Sequence, residues 1–398
     1  MPGFELFGEE ERKEVNDVME TGILMRYGFD GPRKGIWKAK QLESAIQDTF
    51  NVKYTQLTSS GTSALTTAMA ALGIGAGDEI IMPVFTFVAS FEAVLSVGAI
   101  PVLVDIDESL TLNPAAVEKA ITPKTKCVMP VHMCGSMADL DALKAICEKH
   151  NLILLEDACQ AIGGSYKGKA LGTIGHAGTF SFDFVKTITC GEGGVVMTND
   201  QAVYLKCDGY TDHGHDHLGK DRGADQHPFV GYNYRISELH AAVGLAQIRK
   251  LQTFLSIQQS NKKILKEKLA SVPGITFRVL PDEAGDNASH LSFFLPSEDE
   301  ARAVTKAMQE NGFGAFYWYD NNWHYIRKWD HLKQLKTLSA LPEDVQKRVS
   351  SSVNASFTTS DAIMSRCIST PISLVWSEHD TRQKAEKLAE VISAVLKK

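Results

Sequence analysis

Lys186 is the single lysine or arginine in FSFDFVKTITCGEGG, residues 180 to 194, an apolar run that ends in a cluster of glycines. An amine held in apolar surroundings gives up its proton more readily, because desolvation disfavours the ammonium. It can then attack carbonyl carbon near neutral pH and form a Schiff base. A strand-end lysine that snorkels to solvent is the plainer alternative. LILLEDACQAIG, residues 152 to 163, reads as a buried strand that ends in Glu156 and Asp157. A carboxylate there could bind a metal, orient a histidine, pair with a protonated ring nitrogen, or simply cap the next helix. TSSGTSAL, residues 58 to 65, runs a serine-glycine turn into a helix. Its free N–H groups and helix dipole suit a phosphate, and Gly61 lets the backbone come close. Ser60 or Thr62 acting as an ordinary N-cap is the alternative there.

These residues need a frame. DEIIMPV, IPVLVDID, KCVMPVH and LILLEDA are short, nearly all-apolar segments separated by helical patterns such as SFEAVLSVG, NPAAVEKAI and MADLDALKAICEKHN. That alternation predicts an α/β domain with a mostly parallel sheet covered on both faces. Two amphipathic helices, ERKEVNDVMETG and KAKQLESAIQDTF, precede it. From Ile236 the pattern changes to a long helical stretch, then to β-like GITFRVL and SHLSFFL, then to helices near 299–311 and 379–397. The reading is a large domain over residues 1–250 and a smaller α+β domain over 251–398, with the boundary somewhere in 240–265. In a parallel sheet, ligands bind beyond the C-terminal strand ends, where the candidate residues fall. A phosphate turn, a carboxylate and a Schiff-base lysine, in the order Gly61, Asp157, Lys186, are together the contacts that pyridoxal 5'-phosphate requires.

Several classes are set aside. Net charge is −7 with no run of five like charges, which argues against a nucleic-acid partner. The apolar stretch from Ile80 to Val104 carries Pro83, Glu92, Gly98 and Pro101, which a lipid-spanning helix would have to hide. The opening MPGFELFGEEERKEV is acidic and polar, so no secretory leader is expected. The seven cysteines are scattered, odd in number and without a CxxC, which fits reduced thiols in a cytoplasmic protein.

The set SSGTSAL, PVFTFVAS, PVHMCGSMADLDAL, LLEDACQAIGGSYKG, GTFSFDFVKTITCGEGG and GYNYRISELHAAVGLAQ resembles the DegT/DnrJ/EryC1/StrS sugar aminotransferases. The resemblance runs almost end to end. It implies an aspartate-aminotransferase-type large domain (fold type I) and a homodimer with shared active sites. It makes Lys186 the lysine that carries the cofactor and moves protons. Asp157 would pair with the ring nitrogen, Gln160 would sit at the ring hydroxyl, and Phe87 would stack on the ring. Gly61, Thr62 and Ser181 would hold the phosphate, with Asn233 reaching it from the neighbouring subunit. One branch, a sugar dehydratase, carries histidine where Lys186 stands and is disfavoured here. L-glutamate is the expected donor.

Three segments bear on the acceptor: TGILMRYGFDGPRKGIWKAK, DHGHDHLGKDRGADQHP and FYWYDNNWHYIRKW. Together they resemble the branch that aminates an oxidised eight-carbon acid sugar, 8-oxo-3,8-dideoxy-manno-octulosonate, for lipopolysaccharide. Arg26, Arg33, His215, His217 and His324 are the expected carboxylate or hydroxyl contacts. His213, His215 and His217 would share one face of a strand, so a metal site is one reading. A polar loop of hydrogen-bonding histidines is preferred, and no metal is expected. The aromatic segment serves equally as core and interface. Alternatives are a nucleotide-linked 4-keto-6-deoxy sugar as acceptor, an amino-acid transaminase, and a catalytically retired regulator of the same fold.

Overall fold

The computed structural model describes residues 3–219 and 222–397. The main sheet contains β1 (Tyr54–Thr58), β2 (Glu79–Pro83), β3 (Ile100–Val104), β4 (Thr125–Val128) and β5 (Ile153–Asp157). A two-residue ladder, β6 (Ser165–Tyr166) with β7 (Lys169–Ala170), follows. β8 (Ala177–Ser181) and β9 (Gly194–Thr198) complete the sheet in the order β1-β9-β8-β5-β4-β2-β3. Only β9 runs against its neighbours. The parallel strands are almost wholly buried, which is why they read as continuous apolar runs instead of alternating ones.

A second sheet is antiparallel: β10 (Thr276–Phe277), β11 (His290–Phe294) and β12 (Cys367–Pro371). Helices Glu298–Glu310, Leu251–Leu269 and Glu378–Leu396 pack with it. The long helical stretch after Ile236 is two helices, Glu238–Arg249 and Leu251–Leu269, which meet at Lys250. Helices Glu343–Val353 and Thr358–Met364 are additions to the expected set. One apolar core draws on both ends of the chain: Met69, Phe91 and Met82 pack with Trp318, Tyr325, Trp329 and Met364. The aromatic segment 316–329 is therefore partly core, with Tyr325 and Trp329 fully buried.

Glycines set one crossing that matters for the site. A Cβ on Gly194 at the start of β9 would lie 2.3 Å from the Ser60 carbonyl oxygen. A Cβ on Gly61 would lie 2.7 Å from that of Ser181. The turn after β1 thus sits directly against β8 and β9, which only glycine permits. Among the described residues, no helix is long and apolar enough to cross a membrane.

Candidate active site

The C-terminal ends of β1, β2, β5 and β8 converge on a cavity of about 210 Å³ lined by Gly61, Thr62, Phe87, Asp157, Gln160, Ser181, Lys186 and His324. The helix Gly61–Ala71 starts at its edge. Ser60 is the N-cap, accepting from the Ser63 N–H at 3.0 Å, so the capping alternative is realised. The Gly61 and Thr62 N–H groups precede the helix's own hydrogen bonds and stay available to an anion beside the Ser181 hydroxyl. Capping does not compete with an anion at this turn, because it uses the Ser63 N–H.

Asp157 closes β5 and is 3% exposed. Its Oδ2 accepts from Ser90 Oγ at 2.7 Å and its Oδ1 from the Cys159 N–H at 3.1 Å. Thr86 Oγ1 lies 2.6 Å from Ser90 Oγ and extends the network. Among the described residues no lysine, arginine or histidine forms an ion pair with Asp157. A buried carboxylate without a cation is costly, so the cavity is built to receive one. A protonated pyridine nitrogen meets that need.

The neighbouring carboxylate does different work. Glu156 accepts from the Gly172, Ile174 and Gly175 N–H groups at 2.8, 2.7 and 2.7 Å. It also meets His132 Nε2 at 3.1 Å. His132 Nδ1 accepts from the Ala138 N–H, so Nε2 carries the proton that Glu156 receives. Glu156 is saturated by its own fold and orients a histidine behind the strand.

Lys186 lies beyond the end of β8, in a loop. Phe184 and Val185 are half exposed, so the apolar run is not a buried strand to its end. Lys186 is partly buried and, among the described residues, makes no ion pair. Gln160 accepts from the Cys134 N–H at 3.1 Å and lines the cavity. Phe87 packs its ring on Trp323 (5.7 Å, 12°) and on His324 (5.2 Å, 51°).

A larger chamber of about 800 Å³ adjoins the first across Gln160, Lys186 and His324. Its walls include Phe316, Trp318, Trp323, Trp376 and His290. His324 Nδ1 faces Asn321 Oδ1 at 3.0 Å, and that oxygen also accepts from the Trp323 N–H. Nδ1 therefore carries the hydrogen and Nε2 is an acceptor. Burial, then the charge of Lys186, push His324 down to about 3, so it stays neutral. His290 is 5% exposed, its Nε2 has no hydrogen-bond partner, and burial pushes it well below the ordinary range.

The other acceptor candidates lie elsewhere, which corrects the expectation for this chain. Arg26 is buried and donates to Glu43 at 2.6 Å and Gln56 at 3.3 Å. Burial works against its charge, yet Glu43 and Tyr27 together outweigh that and hold it well above the ordinary value. Arg33 is fully buried, donates to the Gly28 and Met25 carbonyls, and stacks on Trp37. His215 pairs with Asp225 at 3.2 Å. His217 sits between Asp208 (2.6 Å) and Asp212 (2.9 Å), with Tyr27 stacked on it. None of the four lines either cavity. Charge is visible in a sequence, but the internal partner that consumes it is not. Asn233 is exposed, bridged to Asp212, and outside both linings. Among the described residues, no group of three His, Cys, Asp or Glu could hold a metal.

Sequence reasoning missed Ser90, His290 and Trp376. Ser90 had a signal, a hydroxyl in the apolar FTFVAS motif; the others reach the chamber only through long-range packing.

Residues 6–389 match the DegT/DnrJ/EryC1/StrS aminotransferase family. A GDP-perosamine synthase of Caulobacter vibrioides is 39% identical over 236 residues, 58% of this chain and 61% of that protein. An L-glutamine:2-deoxy-scyllo-inosose aminotransferase of Micromonospora echinospora is 38% identical over 287 residues, 68% of each. The sequence matches thus span about three fifths to two thirds of these relatives. The crystal structure of 3-amino-5-hydroxybenzoic acid synthase superposes with a TM-score of 0.81 at 28% identity, over 98% of this chain and 97% of the other. The chain belongs to the DegT/DnrJ/EryC1/StrS aminotransferase family. It is a pyridoxal-phosphate-dependent transaminase of fold type I.

Proposed function

We propose that the protein transfers the amino group of L-glutamate to the oxidised terminal carbon of a free eight-carbon acid sugar, 8-oxo-3,8-dideoxy-manno-octulosonate. Asp157 carries the cofactor part of this reading, as a buried carboxylate without a cation in the cavity that also holds Lys186 and a helix N-terminus. When bound, pyridoxal phosphate supplies a carbonyl that accepts amino groups and a ring that withdraws electrons. The Gly61 and Thr62 N–H groups and Ser181 would hold its phosphate, Phe87 would cover its ring, and Gln160 would meet the ring hydroxyl side. The Asp157 carboxylate, steadied by Ser90, would keep the ring nitrogen protonated. Lys186 Nζ takes the proton from the amino-bearing carbon of the donor and returns it on the acceptor half-reaction. Donor and acceptor use the same lysine in turn, which predicts ping-pong kinetics.

The acceptor reading rests on the chamber. Among the described residues Lys186 is the single lysine or arginine in its lining, and both histidines beside it are held neutral. A nucleotide diphosphate would need further cations, whereas aromatic walls and mostly neutral polar groups, with the Glu5 carboxylate taken up by Ser373 and the Leu374 N–H, suit one free sugar. With Arg26 and Arg33 committed internally, the sugar carboxylate takes its partner from the second subunit of a homodimer, as the phosphate does from Asn233. The second reading, a nucleotide-linked keto sugar, is favoured by the likeness to GDP-perosamine synthase. An acceptor panel separates them: the octulosonate aldehyde, a GDP-linked 4-keto-6-deoxy sugar and a keto-cyclitol, each with L-glutamate and L-glutamine. Turnover of the octulosonate with glutamate supports the first reading. Efficient turnover of the GDP-linked sugar alone removes it and leaves the transaminase standing.

A further inference from the structure

The first described residues of the chain lie against the loop that bears Lys186. The Gly3 N–H donates to the Lys186 carbonyl at 2.9 Å. Phe4 stacks on Phe184 with centroids 4.5 Å apart and rings 1° from parallel. Glu5 Oε2 accepts from Ser373 Oγ at 2.8 Å and from the Leu374 N–H at 2.6 Å. Successive residues therefore tie the lysine loop to the segment just after β12, and Phe4 and Glu5 both line the larger chamber. Space at Gly3 is fully used: a Cβ there would lie 2.5 Å from the Thr187 carbonyl oxygen and 2.1 Å from Gln247 Oε1. Gln247 Nε2 in turn donates to the Gly3 carbonyl at 3.4 Å and to Glu11 at 2.7 Å, anchoring the segment from behind.

The loop's own ties are short-range ones: Asp183 bridges Gly191 and the Val185 N–H donates to Asp183 Oδ1 at 3.1 Å, before Thr187 and Ile188 turn back into the core. Phe184 and Val185 are half exposed, and the Lys186 N–H is bonded within the loop, to the Asp183 carbonyl at 3.0 Å. Placing a reacting amine within a few tenths of an ångström matters greatly for rate, so whatever holds this loop affects chemistry. We propose that residues 3–5 form a strap that keeps the Lys186 loop in place and walls the acceptor chamber, with Gly3 and Phe4 as positioning residues. The inference rests on Lys186 being the cofactor lysine. Its mechanical part does not depend on which sugar is used.

Two full-length variants and a control test it. Gly3→Ala forces the strap off the loop, and Phe4→Ala removes the stack. Gly8→Ala is the control, since a Cβ there meets nothing within 4 Å. Amide hydrogen exchange, followed by mass spectrometry without substrate, should quicken about tenfold in the peptide covering 183–187 for both variants and not for the control. With whichever acceptor the enzyme uses, Phe4→Ala should raise the acceptor KM about tenfold while the donor KM holds. Unchanged exchange in both variants, or an unmoved acceptor KM in Phe4→Ala, overturns the proposal. Should Gly3→Ala not fold, Phe4→Ala decides on both readouts. An acceptor panel that fails altogether leaves the exchange result able to decide.

Discussion

Asp157 is where a single atom's surroundings carry the most weight. Its oxygens are held by Ser90 and the Cys159 N–H, so an amide in its place keeps the shape and loses the charge. Asp157→Asn should leave thermal stability nearly unchanged. It should cost about 2–5 kcal/mol of transition-state stabilisation, the usual loss when one member of a buried charge pair is removed. Steady-state kinetics beside a melting curve checks this, and an unimpaired kcat/KM would mean the ring nitrogen is held otherwise. That Asp157 and Lys186 would meet at one cavity was legible in the sequence, from a carboxylate at the end of a buried strand and a lone lysine ahead of a glycine cluster. Arg26 and Arg33 misled for the converse reason: Glu43 and Glu238, the carboxylates that neutralise them, declare themselves only in the folded chain. Glu156 was legible as a carboxylate but not as a structural one, since its N–H donors come from the turn at 172–175.

At the scale of elements, the phosphate site depends on close passage of the turn after β1 against the end of β8. Gly61→Ala would set a methyl 2.7 Å from Ser181 Cβ. Relieving that overlap costs about 1–3 kcal/mol, and here it should appear mainly as weaker cofactor affinity, read by titrating the apoprotein with pyridoxal phosphate. The loop around residues 208–235 behaves differently. Burial works to lower His217, but its hydrogen bonds to Asp208 and Asp212 outweigh that and push it up to about 9. A folded-state value above the ordinary 6.5 stabilises the native form fully below pH 6.5, and the contribution fades as pH rises through about 9. The melting temperature should therefore fall between pH 7 and 10. His217→Gln should lower stability at pH 7 by about 1.5–3 kcal/mol and flatten that dependence. A pH profile identical to the parent's would show that His217 is not the group responsible. The alternation of strand and helix was legible because parallel strands are apolar throughout. Phe184 and Val185 broke the pattern, since their apolar faces lie beside the chamber and solvent instead of in a strand.

For the whole molecule, the sheet order brings chain-distant segments to one edge, and the C-terminal segments complete it. His290 and Trp376 reach the chamber through packing among β11, β12 and the segment after them, which no local pattern records. Asn233 stands exposed and outside the lining of its own chain's cavity, and the proposed homodimer would bring it to the phosphate of a second copy. Mixing Lys186→Ala with Asn233→Ala subunits should restore activity above either variant alone, through one intact site per heterodimer. Absence of recovery would assign Asn233 to its own chain. The central claim, that Lys186 carries pyridoxal phosphate, has the most direct test. The holoenzyme is reduced with borohydride and digested, and the tagged peptide is sequenced. The account predicts one phosphopyridoxyl group on Lys186, and none in Lys186→Ala; a tag on any other lysine would contradict it.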